Sequence, residues 1–96
     1  MYTRVTPYKM KPGSQAAATN ILNGLKDNIL ALPGQHRFLN VLNDETGEGY
    51  VISTTEIAEA SPETAEKIKA LWAQFSDFLV QEPVGATYSV VADWTK

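Results

Sequence analysis

The chain contains no cysteine, so disulfide frameworks, thiolate nucleophiles and zinc fingers are excluded. A single histidine, His36, excludes any site that needs two from one chain. Basic residues are scarce: eight against eleven acids give net −3, which argues against a nucleic-acid surface built on clustered Lys and Arg. No apolar run approaches the roughly 20 residues that span a bilayer. Met1 to Val5 carries no apolar core of a secretory signal, so no membrane partner is expected. The expected location is the cytoplasm, where a chain without cysteine is at home.

What is present is ordinary for a globular protein: 44% hydrophobic and 20% charged residues. Ninety-six residues cannot hold two cores, so residues 1–96 are expected to form one domain.

Residues 2–10 alternate as a strand, with Tyr2, Arg4, Thr6, Tyr8 and Met10 on one face. Pro7 marks an edge or bulge position, and Pro12-Gly13 ends the strand. Ser14 is read as the N-cap of a helix whose buried stripe is Ala18, Ile21, Leu22, Leu25 and Ile29. Gly24 within it suggests a close approach to a sheet, and Leu32-Pro33-Gly34 ends it.

His36 to Asn43 and Tyr50 to Ile57 read as strands joined by the turn Asn43 to Gly49. Ser61-Pro62-Glu63 is a helix start, with cap, proline and acid in their preferred places. The stripe Ala65, Ile68, Leu71, Trp72, Phe75, Phe78 and Leu79 continues it until Pro83 and Gly85. Ala86 to Trp94 alternates as a last strand.

The order β-α-β-β-α-β is the ferredoxin-like split βαβ arrangement, an α+β fold: a four-stranded antiparallel sheet with two helices on one face. The strands carry apolar or aromatic residues on both sides, among them Tyr2, Tyr8, Phe38, Leu39, Tyr50, Tyr88 and Trp94. A second face left bare would be a large apolar patch. The expected remedy is a homodimer that stacks two sheets face to face in a barrel-like unit.

Several segments carry a resemblance to a known group. They are Met10-Lys11-Pro12-Gly13 and the helix after it, the exit Leu32-Pro33-Gly34-Gln35, the hairpin Leu42 to Tyr50, the long helix with Trp72, and the strand Tyr88 to Trp94. Over nearly its full length the chain resembles the antibiotic-biosynthesis-monooxygenase-like group of dimeric α+β barrel proteins. The resemblance implies a cofactor-independent monooxygenase that turns an anthrone or quinol into a quinone. In such proteins the substrate lies between the sheet and helices of one subunit, and its own anion activates dioxygen. The protein then supplies a shaped apolar cavity and a few polar groups that hold the phenolate and exclude water.

A second branch of that group degrades haem, with an Asn on the first strand, a Trp on the second helix and a His about ten residues later. Trp72 is present here, but no Asn lies within residues 2–11, and Glu82 stands ten residues after Trp72. A haem site of that type is therefore not expected.

On these grounds the candidate catalytic residues are His36, Asn40, Tyr50 and Trp72, and the candidate substrate-binding residues are Tyr8, Arg37 and Tyr88. His36 or a tyrosine would assist deprotonation, Asn40 would hold the oxyanion and Trp72 would stack on the ring. Each has a plainer reading. Trp72 suits core packing, His36 a solvated strand start, and Arg37 a surface position. Tyr8, Tyr50 and Tyr88 suit the core or a dimer interface. Asn40, flanked by Leu39 and Val41, needs partners if it is buried. Arg4 is read as exposed or as pairing across a dimer with an acid such as Glu56. No group of oxygens has the spacing of a metal site, and neither metal nor cofactor is expected.

Three readings of function follow. The first is a dimeric, cofactor-free monooxygenase acting on a small aromatic or phenolic compound. The second is a dimer of the same fold that binds a small molecule without turnover. The third is an interaction protein whose interior is filled by its own side chains, which a cavity of about 300 Å3 or more would disfavour.

Overall fold

The computed structural model describes residues 1–96. Seven elements follow in order: β1 (Tyr2–Lys9), α1 (Gln15–Gly24), α2 (Lys26–Leu30), β2 (Gln35–Leu42), β3 (Glu48–Thr55), α3 (Pro62–Ala73) and β4 (Ala86–Ser89). The strands form one sheet in the order β2-β3-β1-β4, every pair antiparallel. This is the ferredoxin-like α+β fold expected from the sequence.

The helix start at Ser61 forms as its residue types dictate. The Ser61 hydroxyl accepts the Thr64 N–H at 3.1 Å, and Pro62 follows where a missing N–H costs nothing. Ser14 behaves differently. Its carbonyl accepts the Ala18 N–H, but its hydroxyl accepts no backbone N–H and instead donates to the Lys11 carbonyl at 2.5 Å, fastening the chain at the end of β1.

Three boundaries differ from the sequence reading by more than one or two residues. The first helix breaks at Leu25, whose N–H bonds the Leu22 carbonyl three residues back, giving α1 and the short α2. Gly24, the last residue of α1, faces open space, so it does not serve a close approach to the sheet. The stripe beyond Ala73 is not continuous helix. The N–H groups of Gln74, Phe75, Ser76 and Phe78 each bond three residues back, which tightens the chain into turns. These turns are stitched to the end of β1: Lys11 N–H bonds the Phe78 carbonyl, and Val80 N–H bonds the Lys9 carbonyl. Finally, β4 stops at Ser89, and the tail to Lys96 leaves the sheet with Val91 95% and Trp94 91% exposed.

The helices cover one face of the sheet. Tyr8, Met10, Ala18 and Phe75 form the buried core, with Leu22, Leu42, Val51 and Leu79 packed around them. Only nine of 96 residues are buried, so the core is thin; it lies toward one end of the interlayer space and leaves a cavity beside it. No helix is long and apolar enough to cross a membrane.

Candidate functional site

A half-enclosed cavity of about 460 Å3 lies between the sheet and the helices. This is within the range of small-molecule sites, and the interior is accordingly not filled by the protein's own side chains.

Strand alternation decides which residues reach it. From β1 come Arg4, Thr6 and Tyr8, followed by Met10; from β3 come Val51, Ser53 and Thr55; from β4 comes Thr87. On β2 the alternation is reset. Gln35 pairs with Thr55 and Arg37 with Thr54, so His36 is an extra residue in a β-bulge. Beyond the bulge, Phe38 and Asn40 face the cavity, while Arg37, Leu39 and Val41 lie on the other face. The helices supply the roof, with Leu22, Leu25, Ile29, Ile68, Leu71 and Trp72.

The candidate residues therefore divide. Tyr8, Asn40 and Trp72 line the cavity together. Tyr50 pairs with Val41 and Pro7, and Tyr88 with Thr3, all on the opposite face of the sheet. Arg37 is also on that side. His36 projects from the bulge, half-exposed, and its Nε2 pairs with Glu56 Oε1 at 2.9 Å outside the cavity lining. The separation has one physical cause: residues one apart on a strand point to opposite faces, and the bulge shifts that alternation by one.

Tyr8 is the centre of the group. It is 3% exposed, and its hydroxyl donates to Asn40 Oδ1 at 2.6 Å, with the Val41 carbonyl at 3.2 Å as a second acceptor. The indole of Trp72 lies tilted against its ring, centroids 5.6 Å apart, and Phe75 meets Trp72 edge-on at 6.4 Å. Gly49, opposite Tyr8 on β3, makes this placement possible. A Cβ there would stand 2.5 Å from Tyr8 Cζ, inside van der Waals contact.

Burial pushes the Tyr8 phenol above its ordinary value. At neutral pH Tyr8 is a neutral donor, not a base. The raised value favours the folded state below about pH 10 and withdraws that stability as pH rises through the folded value. Wild-type protein is thus expected to lose stability above about pH 10 more steeply than Tyr8→Phe, which has nothing to ionise there; urea midpoints measured from pH 8 to 11.5 check this. Parallel curves would mean that Tyr8 ionises as freely folded as unfolded.

The cavity's other titratable residues are Arg4 and Glu59. The sequence reading gave Arg4 no part in a site, although its alternation with Thr6 and Tyr8 put it on their face. Glu56, its suggested partner, is engaged by His36. No three His, Cys, Asp or Glu side chains stand close enough to hold a metal ion.

No family model matches the chain, and no curated protein matches it. Solved structures do. One is a putative antibiotic biosynthesis monooxygenase from Bordetella bronchiseptica, 9% identical, with TM-score 0.74 over 95% of this chain and 97% of that one. A second protein of that description, from Nitrosomonas europaea, is 13% identical, with TM-score 0.69 over 96% of this chain and all of the other. A third, from Caulobacter crescentus, is 18% identical, with TM-score 0.67 over 95% and 90%. At these identities the likeness is one of fold, and it is near complete in both directions. The protein has the fold of the antibiotic-biosynthesis-monooxygenase-like proteins, as the resemblance in its sequence implied.

Proposed function

We infer that the protein is a cofactor-independent monooxygenase acting on a small aromatic compound of the quinol or anthrone type. The observation that carries this is the Tyr8–Asn40 pair in the cavity wall beside Trp72. Tyr8 donates its proton to Asn40 Oδ1, which leaves the Asn40 NH2 group to hold a substrate oxyanion. Trp72 offers a face for the ring. The ring anion passes an electron to dioxygen, and the two radicals join as a peroxide at the ring carbon. Loss of water then leaves a carbonyl: one oxygen atom stays in the product and the other departs with two hydrogens, those of the methylene in an anthrone or the ring C–H and phenolic O–H in a quinol.

The fold of the solved relatives supports this reading, and their description as putative monooxygenases agrees with it. The roles first expected of Tyr50, Tyr88, Arg37 and His36 are not carried forward to the cavity, because these residues line other surfaces. Oxygen uptake with a panel of anthrones and hydroquinones tests the reading. Protein-dependent uptake with a quinone product, weakened by Asn40→Ala, is expected. A rate no higher than the protein-free blank across the panel sinks it.

One observation favours binding without turnover. The cavity's titratable groups are Arg4, Tyr8 and Glu59, and burial holds Tyr8 protonated, so no imidazole stands ready to take a substrate proton. A ligand retained in native mass spectrometry, with no oxygen uptake, is the result that reading expects.

The exposed face of the sheet supports self-association. Leu39, Ile52, Val5 and Ala86 form one row across all four strands, and Val41, Tyr50 and Pro7 form the next. We take this face as covered by a second copy of the chain, making a homodimer. We also take residues 1–96 as one domain working in the cytoplasm; fractionation of the source cells checks the location.

A further inference from the structure

The cavity is graded along the strands. Its deep end is buried and apolar, walled by Tyr8, Met10 and Phe75. Four residues from Tyr8 along β1, the register sets a different row across the sheet floor: Phe38, Ser53, Arg4 and Thr87. Three of these four are polar, and Arg4 and Thr87 are exposed, which makes this row the mouth. Arg4 is the only cation lining the cavity. The chain's two ion pairs are His36–Glu56 and Lys67–Glu63, so no carboxylate stands within 4.0 Å of its guanidinium. Glu59, the cavity's one carboxylate, comes from the segment between β3 and α3.

The guanidinium lies against the backbone of Gly85. A Cβ at position 85 would stand 3.0 Å from Arg4 Nε, 3.1 Å from its Cζ and 2.5 Å from Thr6 Oγ1. The bare backbone of Gly85 thus makes room for Arg4 at the mouth and for the buried Thr6 one row further in. An arginine held beside hydroxyls, without an acid of its own, suits a planar carboxylate, which it binds through two parallel N–H donors.

We propose that Arg4 is the specificity-determining residue of the cavity and selects ligands with an aromatic body and a carboxylate head. The ring system enters toward Trp72 and Tyr8, and the carboxylate stays at the mouth on Arg4, with Ser53 and Thr87 as flanking hydroxyls. This rests on the cavity being a small-molecule site, whether or not turnover follows.

The test compares 2-naphthoate with 2-naphthamide, one ring system carrying a charged or a neutral head, by calorimetry on the full chain. Naphthoate is expected to bind about tenfold more tightly or better, the usual scale for hydrogen bonds to a charged group. Raising salt from ~0.01 M to ~1 M should erode that preference and leave the amide unchanged. Arg4→Gln should abolish the preference while amide binding persists. Thr87→Asp, which leaves Arg4 in place but gives it a carboxylate neighbour, should do the same and guards against a folding defect in either variant. Equal binding of the two probes to wild type, or a preference that survives both substitutions, overturns the role of Arg4 and leaves the cavity reading intact. Failure of both probes to bind overturns the cavity reading and the proposal together.

Discussion

Truncating Phe75 to alanine is expected to lower stability by about 3–5 kcal/mol, the usual cost of removing a buried phenylalanine. Phe75 is 7% exposed and belongs to a core of four buried residues. Domains of this size are held by only about 5–15 kcal/mol, so the loss takes a large share. Two features place it toward the upper end. Phe75 holds the edge contact with Trp72, and it lies in the turns that are hydrogen-bonded to the end of β1. The vacated space also adjoins the existing cavity, so little can collapse to fill it. Urea unfolding at equal protomer concentration measures the change, because association contributes to apparent stability. A shift below about 1 kcal/mol would mean that the segment after α3 is not part of the cooperative core.

The double substitution Leu39→Lys with Tyr50→Lys is expected to convert a dimer into monomers. Both side chains are exposed and stand in the two adjacent apolar rows of the outer face. A stable interface buries about 800 Å2 on each partner, and burying unpaired ammonium groups at its centre costs several kcal/mol. In the monomer the same lysines would sit in water, so the fold should survive, as far-UV circular dichroism would report. Sedimentation velocity at micromolar concentration reads the outcome. Arg4→Gln, on the other face, should leave the dimer intact. Wild-type protein that sediments as a monomer, or a double variant that remains a dimer, removes the outer face as the interface.

Much of the fold was legible because it rests on local chemistry. Ser61-Pro62-Glu63 specifies a helix start by itself, and the Asn43 to Gly49 turn places β2 beside β3. The site was only partly legible because it depends on facing. Tyr8 and Asn40 are 32 residues apart, and they meet only after a bulge at His36 turns Asn40 inward. Nothing in Gln35-His36-Arg37 announces that bulge; a regular strand would have sent Arg37, Leu39 and Val41 toward the helices with Gln35. The same one-residue shift leaves His36 beside Glu56 and outside the cavity. The ends of the last helix and strand were overrun for a related reason. An apolar stripe continues through Phe78 and Leu79 whether the backbone is helix or tight turn, and alternation from Val91 to Trp94 persists although no neighbouring strand receives it.

The alternation of β1 has a consequence for how such a protein can diversify. Arg4, Thr6 and Tyr8 serve the cavity, while Val5 and Pro7 serve the outer face, on one short segment. If the cavity binds a ligand and the outer face a second copy, as proposed, point substitutions at even positions should alter ligand choice and those at odd positions assembly, with little interference between them. An inserted or deleted residue exchanges the two sets at once. Lineages descending from this sequence should therefore change ligand readily by substitution, yet tolerate length changes in their strands only where a bulge absorbs them, as it does at His36.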